Sequence, residues 1–303
     1  MTKKILVTGA SGSVGRNIAM YLADMGYAII GTWNHHVPTE NSGCVKYLRI
    51  DLGNKEEVER LFETYSFDVI IHLAVQVRSP QIKDYLRNSI GMTEHLLTVS
   101  SRVRTFVYTS SFSIYGDVAG VVNENSARLN LDDYGVSKYI CERMVEDAKI
   151  ENRVVIRLPR MLGENIDLTY PWVPKLAKEL MQNKEVRYFN PNLLYNNLAH
   201  TDTLGKFLKK IIDEDATEMW RGFHVMGIGS AAPIRIIDII QQLKEGLNST
   251  SALYESKELP TKNACFHVDI SRAEKYGYEP WTVRETLSRF IENIKEGKST
   301  NGK

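Results

Sequence analysis

The stretch Lys3–Gly15, KKILVTGASGSVG, decides the fold. Ile5, Leu6 and Val7 form a short apolar run that ends at Thr8. Gly9, Gly12 and Gly15 follow, and Asn17–Met25 reads as a helix. The pattern is that of a buried strand, a tight glycine turn and a helix start. Such a turn lets a pyrophosphate approach the backbone, and the helix N-terminus offers N–H groups and partial positive charge. Gly9 lets the chain turn, Gly12 removes a side chain where phosphate must come close, and Gly15 lets the helix pack on the sheet. The spacing is G-x-x-G-x-x-G rather than the commoner G-x-G-x-x-G, and a plain βα turn is the competing interpretation. The position, after an N-terminal strand and before an amphipathic helix, favours dinucleotide binding.

Outward from this unit the same alternation repeats. Tyr27–Thr32, Val45–Ile50, Asp68–Leu73, Thr105–Ser110 and Arg153–Arg157 read as five further strands. Asn54–Tyr65, Asp84–Ser100 and Tyr134–Lys149 read as the helices among them. Strands and helices at this spacing imply βαβ units and a parallel sheet. The strands are near-continuous apolar runs, as expected when both faces are covered. Beyond Leu158 the pattern loosens, with Pro159, Pro171, Pro174 and Pro191 punctuating the chain and helices expected at Leu204–Ile212, Ile236–Leu247 and Val283–Lys295. The expected fold is therefore α/β: a Rossmann-type doubly wound parallel sheet over residues 1–158. A smaller, mixed substrate-binding part over 159–296 interleaves with it, and 297–303 is a polar tail.

Composition excludes several function classes. The 303 residues are 43% apolar and 25% charged, ordinary for a globular protein able to bury a sizeable core. A net charge of +1 without a long basic run argues against nucleic acid or an anionic membrane as partner. No stretch approaches the roughly 20 apolar residues of a membrane helix, and the apolar run behind Lys3 and Lys4 is too short for a signal peptide. Cys44, Cys141 and Cys265 are scattered and odd in number. They fit reduced thiols and a cytoplasmic location, and none has a partner at metal-ligand spacing, so no metal is expected.

Tyr134 and Lys138 are four residues apart at a helix start and so share a face. A tyrosine hydroxyl, with a reference pKa of about 10, is a poor acid or base at neutral pH, and a neighbouring ammonium stabilises its phenolate. Ser111 lies at the end of the fifth strand, at the carboxyl edge where open α/β sheets bind ligands. Hydride transfer needs a held nicotinamide, a proton carrier and a donor that polarises a carbonyl. Gly9–Gly15, Tyr134 with Lys138, and Ser111 would supply all three. His72, on an apolar strand, reads as a core residue. At the end of the second strand an acid would grip the adenosine ribose of NAD. Gly31–His36 contains none, and Arg16 follows the third glycine. This slightly favours NADP over NAD.

TGASGSVG, Asp51-Leu52, His72-Leu73-Ala74, Asn88, SSFSIYG at Ser110–Gly116 and YGVSK at Tyr134–Lys138 together resemble the extended short-chain dehydrogenase/reductase family, in its nucleotide-sugar epimerase/dehydratase branch. The likeness continues through His200-Thr201-Asp202 and Asp269–Pro280. It implies catalytic roles for Ser111, Tyr134 and Lys138, with Lys138 also holding the nicotinamide ribose. It implies a cofactor shell of Gly9, Ser11, Gly12, Ser13, Val14, Gly15, Arg16, Asn34, Asp51, Leu52, Leu73, Ala74, Val75, Asn88, Thr109, Tyr134, Lys138 and Leu158, in which Asp51 touches adenine and Asn88 helps order the site. It implies Gln76, Ser111, Ser113, Arg160 and His200 on the substrate side. Three positions depart from the family. Arg160 stands where an asparagine is usual, and Asn196 and Leu259 stand where arginines are expected. Lys257, Lys262, Arg160 or Arg187 would have to replace those charges, and lysine lacks the bidentate fork of arginine. Phe112-Ser113 replaces the Asp-Glu pair of the dehydratases, which argues against dehydration.

The expected function is an NAD(P)-dependent sugar oxidoreductase, a nucleotide-sugar 4-epimerase or a ketosugar reductase. A reductase or dehydrogenase of a non-nucleotide substrate stays open, as does a cofactor-binding regulatory protein without turnover. Relatives pair the helices expected at 84–100 and 134–149 across a two-fold axis. The same arrangement is expected here as a homodimer, with Tyr85, Ile90, Leu96, Leu97, Ile140, Met144 and Val145 extending an apolar patch.

Overall fold

The computed structural model describes residues 2–38, 43–76, 79–168, 172–256 and 266–297. Lys257, Leu259, Lys262, Cys265 and residues 298–303 of the expected tail lie outside them. The chain forms two compact units. The first comprises Met1–Gly116, Asn130–Leu158 and Gly205–Met226; the second comprises Asp117–Leu129, Pro159–Leu204 and Gly227–Lys303. Against the division expected at residues 158 and 159, residues 117–129 thus group with the second unit and 205–226 with the first.

In chain order the strands and α-helices up to residue 158 are β1 (Lys4–Thr8), α1 (Ser13–Asp24), β2 (Ala28–Trp33), β3 (Val45–Arg49), α2 (Lys55–Thr64), β4 (Val69–His72), α3 (Ile82–Tyr85), α4 (Met92–Val99), β5 (Thr105–Ser111), β6 (Gly120–Val122), α5 (Asp133–Asp147) and β7 (Asn152–Leu158). The first unit is built on a seven-stranded sheet. Its order is Gly222–Gly227, β7, β5, β4, β1, β2, β3. Every pairing from β7 across to β3 is parallel. The sheet is thus of the Rossmann type expected, with Gly222–Gly227 added at one edge, and that strand accounts for the return of 205–226 to the first unit.

Covered strands need apolar side chains on both faces. Ile5, Leu6 and Val7 of β1, Val69, Ile70 and Ile71 of β4 and Val154, Val155 and Ile156 of β7 are fully buried. Leu6, Ile70, Phe106 and Val155 join Val58 and Leu61 of α2, Leu96 of α4 and Val145 of α5 in one core. Asn54 caps α2 by accepting from Glu56 N and Glu57 N at 3.1 and 3.3 Å.

The helix expected as a single run over 84–100 is broken. Between α3 and α4 the segment Leu86–Gly91 is a π-helix, and Ser100–Arg102 closes with a 3₁₀ turn. A π segment carries an extra residue per turn and rotates the later turns relative to a uniform helix. Along this broken helix Tyr85 and Leu96 go into the core while Ile82 and Leu86 are left exposed; on the regular helix α5, Val145 is buried and Val136 and Ile140 are exposed.

The second unit is mixed. Arg160–Leu162 pairs in parallel with Leu198–His200, Val186–Tyr188 with Leu253–Glu255, and β6 with Phe266–Val268. Leu194–Tyr195 pairs antiparallel with Ile234–Arg235. Helices Trp172–Met181, Ile236–Gly246 and Val283–Lys295 enclose a core of Val173, Leu176, Leu180, Ile239, Leu243, Leu287 and Phe290. Thr282 and Glu285 form a reciprocal capping box at the start of the last helix. Among the described residues no helix is long and apolar enough to cross a membrane.

Candidate active site

The glycine turn is shaped by contacts that admit no side chain. A Cβ on Gly9, which sits at φ +66°, would lie 2.9 Å from the Ala74 backbone, and one on Gly15 would lie on the Gly9 carbonyl oxygen. Gly15 thus lets α1 close on the turn itself. Gly12 N donates to Gly9 O at 3.0 Å and Ala10 N donates to Thr32 O at 2.9 Å, tying the turn to the end of β2. Gly12 is the N-cap of α1 and supplies no capping side chain, and the first turn of α1 carries no acid. The N–H groups there are available to an anion, and a Cβ on exposed Gly12 would meet only the Gly9 carbonyl. The cradle therefore fits a dinucleotide pyrophosphate. Ser11, Ser13, Val14 and Arg16 line it half-buried, and Asn34 lies half-buried just beyond β2.

Thr8 ends β1 and anchors the neighbouring strand. Its hydroxyl accepts from Leu73 N and Ala74 N, both at 3.1 Å. Its own hydrogen therefore goes to His72 Nδ1, 2.7 Å away, which leaves His72 protonated on Nε2 and facing Thr93 Oγ1 at 3.2 Å. Burial first, and the Lys138 charge second, push the His72 pKa down to about 3. His72 is thus a neutral core brace. The half-buried Leu73, Ala74 and Val75 are fixed beside the glycine turn by this same bracing.

Ser111 ends β5 in register with Leu158 of β7. Its hydroxyl donates to Ser113 Oγ at 3.2 Å and accepts from Ser113 N at 3.1 Å. Asp132 caps α5 by accepting from Gly135 N at 2.8 Å. One turn into α5, Lys138 is buried and donates from Nζ to the Thr109 carbonyl at 2.7 Å, while the Thr109 hydroxyl donates to His72 O at 2.9 Å. The Lys138 ammonium lies 4.8 Å from the centre of the Tyr108 ring and 5.9 Å from that of Tyr134. Burial lowers the Lys138 pKa to about 8, against the opposing influence of Cys141 and Glu142. Tyr134 is half-buried and meets Tyr85 edge-on, with ring centres 6.3 Å apart. The start of α5 packs on the serine segment because residue 135 is glycine: a Cβ there would lie on the Ser113 carbonyl oxygen.

Gly135 lies within the YGVSK motif. Glu142 lies outside the motifs, one turn beyond Lys138 and buried. It takes a bidentate pair from Arg157 Nε and Nη2 at 3.0 and 2.8 Å, and Arg157 Nη1 donates to Tyr115 Oη at 2.5 Å. This buried triad joins α5, β7 and the 3₁₀ turn just after Ser111. The spacing of Tyr134, Lys138 and Glu142 is the available signal, since four-residue steps keep all three on one helix face.

The π-helix places the next residues. Asn88 Nδ2 donates to Gln76 Oε1 at 2.7 Å and Gln76 N donates to Ser89 Oγ at 3.2 Å, which ties the π-helix to the segment after β4. Asp51 follows β3, accepts from Gly53 N at 2.9 Å and pairs with Arg87 at 3.1 Å; Leu52 beside it is buried. Among the described residues no group of three or more His, Cys, Asp or Glu side chains could hold a metal ion.

A family model described as NAD dependent epimerase/dehydratase matches residues 5–204. The chain belongs to that family. It is an NAD-dependent epimerase or oxidoreductase of the extended short-chain dehydrogenase/reductase type. An uncharacterized UDP-glucose epimerase of Bacillus subtilis (strain 168) is 25% identical, over 95% of this chain and 96% of its own length. Human UDP-glucose 4-epimerase is 28% identical over 52% of this chain, which spans about half of that relative's length. Among solved structures, a UDP-glucose 4-epimerase of Thermotoga maritima superposes with a TM-score of 0.82 at 19% identity, covering 97% of this chain and 99% of that one. UDP-glucuronic acid 4-epimerase of Bacillus cereus, solved with NAD, gives 0.79 at 23% identity over 97% and 99%. At these identities both show the fold.

The second unit of this epimerase/dehydratase relative holds the departures noted in the sequence. Asn196 is buried and structural: Nδ2 donates to Ser230 O and Val268 O, both at 2.9 Å, and Oδ1 accepts from Val268 N at 2.7 Å. His200, expected on the substrate side, corrects that expectation. It is 1% exposed and stacks on Trp281. Nε2 bonds Asn293 Oδ1 at 2.9 Å, and Nδ1 accepts from Asp202 N at 3.2 Å. Both ring nitrogens are engaged within the unit. Arg160 is half-buried on its short strand, and Arg187 is exposed and paired with Glu185 at 3.1 Å.

Proposed function

We propose that the chain is a nucleotide-sugar oxidoreductase acting at a ring carbon, with 4-epimerisation favoured over ketosugar reduction by the names of its relatives. The observation that carries this is the buried Lys138, held by the Thr109 carbonyl beneath Tyr134 and one turn from it along α5. A bound nicotinamide would supply a hydride acceptor and donor. Gly9–Gly15 and the first turn of α1 would hold the pyrophosphate. Tyr134 Oη would take the proton from the sugar hydroxyl as hydride leaves its carbon, and return it in the reverse sense. Lys138 would hold its positive charge beside that oxygen, and Ser111 Oγ would donate to the sugar oxygen that gains or loses the proton.

Epimerisation requires the nicotinamide to stay bound between the two transfers, whereas net reduction requires it to leave. Native mass spectrometry of the purified protein tests this. Retained dinucleotide with interconversion of UDP-sugar epimers is expected. A readily exchanged nucleotide together with net consumption of reduced nicotinamide would transfer the assignment to a ketosugar reductase. A non-nucleotide carbonyl substrate is the second possibility, favoured by the structural use of Asn196 where the family pattern expects an arginine. Because Gly31–His36 lacks an acid, the site should accept NADP(H) at least as tightly as NAD(H).

We also infer an isologous homodimer. Ile82, Leu86, Val136 and Ile140, on the paired helices of the first unit, are 57, 54, 38 and 37% exposed. A self-complementary apolar face of this kind suits a two-fold contact. Light scattering at micromolar concentration should give twice the chain mass, and Ile140→Glu should give the monomer. A strictly monomeric wild type would exclude the dimer.

A further inference from the structure

The segment that carries Ser111 is joined to α5 at two places, and the second is held by charge. Ser111 Oγ accepts from Ser113 N and so caps the 3₁₀ turn Phe112–Tyr115, which Gly116 N closes on Ser113 O at 3.2 Å. The same Ser113 carbonyl lies against Gly135, the residue after Tyr134. At its other end the turn presents Tyr115, fully buried, whose hydroxyl accepts from Arg157 Nη1 at 2.5 Å. Arg157 commits Nε and Nη2 to Glu142. Gly135 and Glu142 are two turns apart on α5, about 10 Å at a rise of 1.5 Å per residue. Two ties that far apart fix the direction of the serine turn along α5 as well as its distance from the helix.

Arg157 reaches the same place from β7. It stands in register with Ser110, and Leu158 after it stands in register with Ser111. The triad thus brings together the strand end before Ser111, the turn after it and the helix of Tyr134 and Lys138. Stability does not account for such a pair. A buried ion pair recovers little beyond its desolvation cost, and apolar side chains of similar volume in its place are often neutral or stabilising. A bidentate guanidinium adds direction, which lysine cannot supply. Proton and hydride transfer depend on direction, because a misplacement of about 1 Å can cost about 10²-fold in rate.

We propose that Arg157, acting through Tyr115, is a positioning residue for Ser111 and sets the serine hydroxyl against the Tyr134–Lys138 face of α5. This rests on the Ser111, Tyr134 and Lys138 reading of the site and goes beyond it by naming the residues that hold the serine in place. Their effect on the rate passes through Ser111, and the glycine turn holds the nucleotide as before.

The test is a double-mutant cycle of Tyr115→Phe and Ser111→Ala in the full-length protein, with UDP-glucose as substrate and NAD⁺ supplied. Tyr115→Phe removes the oxygen that Arg157 grips and keeps the ring stacked beside Phe112. It should lower kcat by about 10- to 100-fold and leave KM for UDP-glucose and the Kd of NAD⁺ within about twofold. In the Ser111→Ala background the same substitution should change kcat by less than about twofold, because the group it positions is already gone. Arg157→Lys keeps a charge beside Glu142 and loses the fork, so it should repeat this pattern if Tyr115→Phe fails to fold. Equal effects of Tyr115→Phe with and without Ser111 would show a general loosening and overturn the assignment. An unchanged kcat in Tyr115→Phe, with Ser111→Ala still impaired, would overturn it and leave the site standing. An unimpaired Ser111→Ala, or a wild type that does not convert UDP-glucose, would overturn both.

Discussion

Tyr134→Phe should lower turnover by about 10²- to 10⁴-fold, the usual worth of a positioned acid or base. The substitution removes one oxygen and keeps the ring. The edge-on contact with Tyr85 and the position over the Lys138 ammonium belong to the ring, and phenylalanine retains both. The helix start is held by Asp132 on Gly135 N and by the approach of Gly135 to Ser113, neither of which involves the hydroxyl. Melting temperature and nucleotide affinity should therefore match wild type, while the rate of sugar conversion collapses. Turnover, calorimetric nucleotide binding and thermal melting on the same preparation separate these effects. A variant that kept a large part of wild-type turnover would remove α5 from the chemistry, and the function would reduce to dinucleotide binding.

The first unit was legible because its strands are covered on both faces. β1, β4, β5 and β7 each carry three consecutive apolar residues, and their observed bounds differ from the expected ones by at most one residue. The Gly222–Gly227 strand escaped because it sits at the sheet edge and alternates polar with apolar residues around His224. Helix Trp172–Met181 escaped for a different reason. Pro174 looks like punctuation, yet a proline in the first turn of a helix forfeits no internal hydrogen bond. The π segment at Leu86–Gly91 has no periodic signature at all, since a single extra residue looks the same as noise in an amphipathic pattern.

The site divides along the same line. Gly9, Gly12 and Gly15, and the pairing of Tyr134 with Lys138, can be read because local spacing fixes their geometry. Arg157, Glu142 and Tyr115 cannot, because their triad brings together residues 15 and 42 positions apart in the chain. Nor can the fate of His200, whose motif resembles that of a ligand-binding histidine while Asn293 and Trp281, far along the chain, take up its ring. Buried polar networks of this kind are set by tertiary packing, and each member looks on its own like an ordinary surface residue.

Lys138→Met should separate stability from activity. The Lys138 pKa lies at about 8 in the folded chain, against 10.5 for an unperturbed lysine, because burial disfavours the ammonium. Between those values the unfolded chain binds more protons than the folded one, so stability contributed by this group rises with pH across that window. Below pH 8 both states hold the proton and the burial cost is present in full. The gap corresponds to about 3 kcal/mol. Methionine escapes that cost but leaves the Thr109 carbonyl without its donor, worth about 1–3 kcal/mol. At pH 7 the variant should melt at or above the wild-type temperature, and any advantage should shrink as the pH approaches 10. Catalysis should move the other way. The charge beside Tyr134 is gone, and turnover should fall by at least about 10²-fold. The wild-type profile should lose activity as Lys138 deprotonates above about pH 8, and that limb should be absent from the residual activity of the variant. Nucleotide affinity should also drop if Lys138 holds the nicotinamide ribose, which sets this variant apart from Tyr134→Phe. A variant melting well below wild type at pH 7 would show that the Thr109 bond outweighs the buried charge. Retention of most turnover at neutral pH would show that the charge has no part in the chemistry. The expected pairing of an undiminished melting temperature with lost turnover is the mark of a residue kept in the core for function at a cost to the fold.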